Sequence, residues 1–160
     1  MRSTYHDFLI RDWQPADREP AMELIQSVLL EYGLEPQPEG ADRDVQQVEE
    51  AYWATGGEFW VIEQQGRIVG TAAYYPIERG NHAVEIRKMY LLPEVRGKGL
   101  GRYLLQALET TIAQKGFYEV WIETASILKE AVQLYETSGY HPATGVETQR
   151  CDRVYQKPLR

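Results

Sequence analysis

Cysteine is nearly missing from this chain: Cys151 is the single one among 160 residues. That excludes an internal disulfide framework and fits a reducing compartment. No stretch approaches the roughly 18 consecutive apolar residues of a membrane-spanning helix. The N-terminal Met-Arg-Ser-Thr-Tyr-His-Asp also lacks the apolar core of a signal peptide. A cytoplasmic location away from membranes is therefore expected. Positive charge is scarce too, with 17 Lys and Arg against 24 Asp and Glu and a formal net charge of −7. A broad nucleic-acid interface needs a basic face, so a nucleic-acid partner is not expected. The acidic balance is compatible with cationic substrates, and it is equally ordinary for a soluble protein. His6, His82 and His141 are scattered without metal-ligand spacing, so no metal site is expected. Repeats, low-complexity tracts and linkers are absent, and the length suits a single domain over residues 1–160.

What is present reads as alternating strands and helices. Residues 5–11 suggest a first strand. Asp17 is placed to cap a helix that tolerates Pro20 in its first turn, where a missing N–H costs nothing. Met22, Ile25, Val28 and Leu29 recur at helical spacing before Gly33 ends the run. The polar, Pro- and Gly-containing stretch 34–44 reads as a loop, and a weaker helix covers 44–54. Two apolar runs from Glu58 to Ile77 are separated by Gln65-Gly66, a hairpin signal. Residues 82–92 add a third strand to this set. Leu100, Leu104, Leu108 and Ile112 then stripe one face of a helix that stops at Lys115-Gly116. A strand over 118–124 and a helix over 127–138 follow, the latter with Ser126 as its candidate cap. An ill-defined strand near 139–148 and a last one over 153–159 close the chain. The fold class is α/β with a mixed, mostly antiparallel sheet flanked by helices, in the order βααβββαβαββ.

Between the third strand and the striped helix lies Arg96-Gly97-Lys98-Gly99-Leu100-Gly101-Arg102. Three glycines at alternate positions let oxygens of an anion approach the backbone N–H groups. The helix that follows offers unsatisfied N–H donors and a partial positive charge. Arg96, Lys98 and Arg102 add formal charge, so the turn favours a pyrophosphate. No Ser or Thr follows Lys98, which excludes the Walker loop, and the third glycine arrives too early for the dinucleotide fingerprint. The kinase loop fails on the same spacing. In the strand before the turn, Val84 and Ile86 are apolar on even positions, while Met89 and Leu91 resume on odd ones after Arg87-Lys88. Such a phase slip suggests a β-bulge.

The stretch "EIRKMYLLPEVRGKGLG", followed later by "AVQLYETSGY", resembles the GCN5-related N-acetyltransferase superfamily, and within it small bacterial members of unassigned substrate. The resemblance implies that the turn holds the pyrophosphate of acetyl-coenzyme A, through Arg96, Gly97, Lys98, Gly99, Leu100, Gly101 and Arg102. It implies that pantetheine threads between the bulged strand and the strand at 118–124, pairing with backbone at Met89, Tyr90 and Leu91. A bulge N–H near Tyr90 would polarise the thioester carbonyl. Many superfamily members carry a coenzyme-contacting Asn where this chain has Leu128, so backbone or a shifted side chain such as Lys129 would take its place. Pairing of two copies through the closing strands is common in the superfamily, and nothing in these residues speaks to it.

Acetyl transfer to an amine requires a deprotonated nucleophile, a polarised carbonyl and a proton for the departing thiolate. Tyr135 matches the superfamily's helix tyrosine that serves as general acid. It also falls on an apolar stripe with Leu128, Ala131 and Val132, where a core tyrosine would sit. Glu85, mid-strand among apolar neighbours, is the candidate base; a solvated residue or a pair with Arg87 is the plainer alternative. Glu123 on the next strand stands in reserve. Cys151 reads as a half-buried structural thiol, and Trp53, Phe59 and Trp60 read as core or hairpin aromatics. The expectation is an acetyl-coenzyme A-dependent transferase acting on a primary amine of a small molecule by direct attack in a ternary complex. Its rival is a non-catalytic acyl-coenzyme A sensor on the same fold.

Overall fold

The computed structural model describes residues 1–159. Strands β1 (Arg2–Tyr5) and β2 (Phe8–Asp12) lead into helix α1 (Arg18–Glu31) and the short α2 (Arg43–Gln46). Strands β3 (Glu58–Gln64), β4 (Arg67–Ile77) and β5 (Ala83–Leu91) follow, then helix α3 (Leu100–Gln114) and β6 (Glu119–Thr124). Helix α4 (Lys129–Glu136), β7 (His141–Pro142) and β8 (Arg153–Pro158) complete the order. All eight strands join one sheet in the order β1-β2-β3-β4-β5-β6-β8-β7. Among the described residues, only β5 and β6 pair in parallel. The mixed, mostly antiparallel α/β architecture is the one expected. Among the described residues, no helix is long and apolar enough to cross a membrane.

Successive side chains of a strand point to opposite faces, so an unbroken run of buried residues marks a sheet covered on both sides. Phe59–Ile62 of β3 and Val69–Tyr74 of β4 are such runs. Helix α1 packs on β4 and β5, and α3 packs on β4. Their buried faces, Ala21, Leu24, Ile25, Val28 and Leu29 in α1 and Leu100, Leu104, Leu105, Leu108 and Ile112 in α3, follow helical spacing. Gln65 (φ 52°) and Gly66 (φ 78°) make the β3–β4 turn with both central residues left-handed, as a two-residue hairpin of matching twist requires.

Several expectations give way. The first strand is a hairpin, because His6 adopts φ 53° and turns the chain between β1 and β2. Asp17 does not cap α1 with its side chain: the carboxylate accepts from the Gln14 N–H at 2.7 Å and takes both terminal nitrogens of Arg11 at 2.8 and 2.9 Å. The helix expected over 44–54 breaks into α2 and a π-helical turn at Glu49–Trp53. Ser126 gives its N–H and hydroxyl to Asp152, so α4 begins instead after Leu128. The strand near 139–148 shrinks to His141–Pro142, and the chain to residue 152 is irregular.

One ion cluster fixes this irregular segment against the other long loop. Arg150 donates to both carboxylate oxygens of Asp42 at 2.6 and 2.7 Å, while the Gln37 N–H donates to Asp42 at 2.8 Å. Lys88 of β5 lies 3.2 Å from the same carboxylate. Burial pushes the Asp42 carboxyl up, but Arg150, Lys88 and the Gln37 N–H outweigh it and hold it at about 2. A carboxyl depressed in the folded state lends stability above its unfolded value, near 3.8, and loses that contribution as pH falls toward about 2. Asp42→Asn takes the paired carboxylate from the half-buried Arg150 and one of two from the buried Lys88, and is expected to cost about 3 kcal/mol at neutral pH. Thermal melts from pH 7 to pH 2 check this: the wild-type melting temperature should fall across the acid range, and the variant should start lower and fall less.

Candidate active site

Strand β5 gains one residue relative to β4. Thr71 faces Tyr90 and Ala73 faces Arg87, so two steps along β4 match three along β5. The extra residue is the bulge expected from the phase slip. Lys88 sits in it at φ 53°, a conformation that non-glycine residues adopt rarely. Four contacts hold it there. Its carbonyl accepts the buried Thr71 hydroxyl at 2.6 Å. Its ammonium donates to the Ala41 carbonyl at 2.9 Å and lies 3.2 and 3.3 Å from Asp42 and Asp44. Burial lowers the Lys88 pKa, and the two aspartates work against that fall.

Beyond the bulge β5 leaves β6. Their parallel pairing runs from Ala83–Glu119 to Ile86–Ile122 and stops. A cleft of about 480 Å³ opens in the fork. Its walls include Met89, Tyr90 and Leu91 of β5, Thr124 and Ala125 at the end of β6, and Leu128, Ala131, Leu134 and Tyr135 along α4. Val28, Leu29, Tyr32 and Leu34 from the end of α1 close another side. No motif marks that last group: helical spacing accounts for Val28 and Leu29 as core, and Leu34 falls in the stretch read as a loop.

The mouth of the fork meets the glycine turn. Gly97, Gly99, Gly101 and Arg102 line the cleft. Gly97 (φ 75°) and Gly99 (φ 81°) both use the left-handed region, and a Cβ on Gly99 would lie 2.5 Å from the Tyr5 hydroxyl. That hydroxyl donates to the Lys98 carbonyl at 2.8 Å and ties the turn to β1. Helix α3 starts after Gly99 with no capping side chain and no acidic residue in its first turn. Its first N–H groups are therefore left for an anion.

The structure does not bring every expected residue to the cleft as a free binding group. The Arg96 guanidinium lines it but is engaged: it donates to Glu31 at 2.7 and 2.9 Å, to the Leu91 carbonyl at 2.8 and 3.1 Å, and to the Tyr32 hydroxyl at 3.1 Å. It thus anchors the turn to α1 and β5. Leu100 is buried in the core. Lys98 and Lys129 are exposed and outside the cleft lining. Leu128 lines it, so the position where relatives carry Asn is an apolar wall here.

Tyr135 is 4% exposed, and its ring lies 6.0 Å from that of Tyr140 and 6.2 Å from that of Tyr155. It is thus both a core residue and part of the cleft wall. Burial pushes its pKa well up, and the nearby Tyr90 and Cys151 add to that. At neutral pH its phenol stays protonated. Glu85 is 8% exposed and lies behind the cleft lining, 3.6 Å from Arg87. Burial raises its pKa against the pull of Arg87. Glu123 lines the cleft with its carboxylate taken, by Arg79 at 2.8 Å and by the N–H groups of Glu147 and Thr148 at 2.8 to 3.1 Å. Cys151 is a half-buried wall residue whose thiol is pushed by burial to about 11, so it is not a ready nucleophile. Trp60 and Phe59 are core, while Trp53 is 44% exposed. Sequence reasoning missed Arg87, Lys88 and Arg150 as wall residues; Arg150 sits in an irregular segment with no periodicity to place it.

The model of the acetyltransferase (GNAT) family matches residues 22–140. The uncharacterized N-acetyltransferase YjgM of Escherichia coli (strain K12) is 35% identical over 128 residues, spanning 78% of this chain and 76% of that protein. The N-acetyltransferase camello of Xenopus tropicalis is 29% identical over 99 residues, 61% of this chain and only 45% of that longer protein. A GNAT-family acetyltransferase structure from Staphylococcus aureus Mu50 shares the fold with a TM-score of 0.88 at 19% identity, over 96% of this chain and 99% of that one. The Salmonella typhimurium acetyltransferase yncA, solved with its cofactor acetyl-CoA, has a TM-score of 0.75 at 22% identity, over 96% and 95% of the two chains. With the family model covering the sheet fork, the glycine turn and α4 alike, this chain belongs to the GNAT acetyltransferase family.

Proposed function

We propose that this acetyltransferase moves the acetyl group of acetyl-coenzyme A to the primary amine of a small molecule by direct attack in a ternary complex. One observation carries the reading: the fork between β5 and β6 opens one cleft that joins the uncapped start of α3 to the Tyr135 side chain. A neighbour in fold holds acetyl-coenzyme A, and the residues here suit that molecule. The N–H groups of Gly97, Gly99, Gly101 and the first turn of α3, with Arg102, would receive the pyrophosphate. Lys98 contributes charge from the rim and Arg96 sets the turn's position. Backbone of Met89, Tyr90 and Leu91, left without a strand partner on the β6 side, would receive pantetheine. The thioester supplies the electrophilic carbonyl carbon.

The amine must lose a proton before it attacks that carbon. Glu85, with its raised pKa and its place behind Arg87, takes the proton through water from the cleft. As the new C–N bond forms, charge develops on the carbonyl oxygen, and an N–H of the bulge near Tyr90 stabilises it. The C–S bond then breaks, the departing thiolate takes the Tyr135 proton, and the cationic nitrogen of the new amide gives up its extra proton, which returns through water to the Tyr135 phenolate. Replacing that phenol with a phenyl ring removes the hydroxyl and its proton while keeping the ring that packs in the wall.

Tyr135→Phe is accordingly expected to lower kcat by about 10²-fold while the affinity for coenzyme A, measured by calorimetry, stays within about twofold. Equal loss in affinity at unchanged kcat would show a packing role instead. Glu85 is active as the carboxylate, so kcat/KM for the amine should rise with pH through an apparent pKa above 4.5, the ordinary value. Glu85→Gln should remove that limb and lower the plateau. A pH–rate profile of both proteins, followed by thiol release, is the check; an unchanged acid limb would take the base role from Glu85.

A further inference from the structure

The inner end of the cleft has an electrostatic character that the whole-chain charge conceals. At the apex of the fork, just past the last β5–β6 pair, the charged wall residues are Arg87, Lys88, Glu123 and Arg150. Three are cations, and the carboxylates around them already have partners. Asp42 takes two bonds from Arg150 and one from the Gln37 N–H. Glu123 takes Arg79 and two backbone N–H groups. Glu85 faces Arg87 at 3.6 Å. Asp44 accepts the Tyr52 hydroxyl and lies 3.3 Å from Lys88, outside the cleft lining.

The two guanidiniums, by contrast, retain donors. Each carries five N–H groups. Arg87 spends one on the Tyr75 hydroxyl at 2.7 Å and one on the Ala41 carbonyl at 3.2 Å, and its Nε is 4.0 Å from Asp44, beyond a hydrogen bond. Arg150 spends its terminal nitrogens on Asp42, with a 3.4 Å contact to the Glu35 carbonyl and a bond shared with Tyr90. Lys88 donates to the Ala41 carbonyl, and its buried ammonium lies 3.2 and 3.3 Å from Asp42 and Asp44. The inner wall thus offers spare planar donors for an anion and few free acceptors for a second ammonium. A polyamine or aminoglycoside would bring added positive charge against this wall. An amine carrying a carboxylate would find a partner for it.

We propose that the acceptor is an amine that also bears a carboxylate, a free amino acid or an amino-acid conjugate, held by Arg87 and Arg150. The proposal rests on the acetyl transfer described above and narrows its substrate. The guanidiniums that receive the carboxylate also disfavour the ammonium form of the amine beside them, which helps its deprotonation.

The test pairs acceptors that differ only at the carboxylate. Thiol release from acetyl-coenzyme A is followed with L-amino acids bearing aliphatic, aromatic and acidic side chains. Each is set beside its carboxamide and its decarboxylated amine, with spermidine and an aminoglycoside in the same series. Binding of the same compounds to the enzyme saturated with coenzyme A is measured by calorimetry. At least one amino acid should exceed its carboxamide in kcat/KM by about 10- to 100-fold, the scale of a lost hydrogen bond to a charged group. In Arg87→Gln and in Arg150→Gln that ratio should collapse toward one. Because Arg150→Gln also unpairs Asp42, the double variant Asp42→Asn, Arg150→Gln removes the pair together and should show the same collapse with a melting temperature recovered toward wild type. Turnover led by carboxamides, simple amines or polyamines overturns the proposal while leaving acetyl transfer intact. Carboxylate-selective binding without any turnover keeps the recognition and overturns the transferase reading. Neither turnover nor binding of any carboxylate-bearing amine overturns the proposal outright.

Discussion

One extra residue in β5 governs the geometry of the functional half of this molecule. A parallel pair that continued past Ile86 and Ile122 would seal the sheet and leave no cleft. The bulge at Lys88 turns the strand away, and the cost of a left-handed lysine is offset by what its two ends hold. The carbonyl takes the Thr71 hydroxyl, and the buried ammonium sits among Ala41, Asp42 and Asp44. Through Asp42 the same cluster reaches Arg150, so the loop after α1 and the irregular segment before β8 are tied to the strand that opens the fork. The local backbone strain and the position of both long loops are therefore parts of one arrangement.

The cleft divides by chemistry along its length. At the turn, glycine backbone and the start of α3 present N–H groups. In the middle, Met89, Leu91, Leu128, Ala131 and Leu134 make an apolar wall. At the apex the wall carries the cations Arg87, Lys88 and Arg150, while Glu123 is taken by Arg79 and backbone N–H groups. Arg96 shows how these parts are kept in register: by binding the Leu91 carbonyl and Glu31 together, it fixes the end of β5 against the end of α1. The turn is then rigid where it meets the strand. Such preorganisation lets interactions favour the reacting geometry instead of ordering the site on binding.

Much of this was legible in the sequence because it rests on local rules. The hairpin turn at Gln65-Gly66, the leucine stripe of α3 and the phase slip at Arg87-Lys88 each follow from short-range periodicity or turn chemistry, and each appears in the structure. The glycine turn was legible for the same reason. Misreadings arise where tertiary partners override local preference. Asp17 and Ser126 both suit a cap, but Arg11 and Asp152 claim them. Arg96 has the charge to meet a phosphate and lines the cleft, and no local signal announces that its guanidinium also binds Glu31, 65 residues away, and the Leu91 carbonyl. Arg150 and Cys151 occupy a stretch without regular structure, and only the ion pair to Asp42, 108 residues distant for Arg150, brings that stretch to the cleft. No spacing in the chain signals that contact.

The central claim is that the fork created by the bulge is the coenzyme's seat. Amide hydrogen exchange with and without coenzyme A tests it most directly. The account predicts slowed exchange on binding at the N–H groups of residues 87–91 and in the first turn of α3, with little change in β2 and β3 on the far side of the sheet. Protection confined to the glycine turn, with the amides of β5 unaffected, would contradict it.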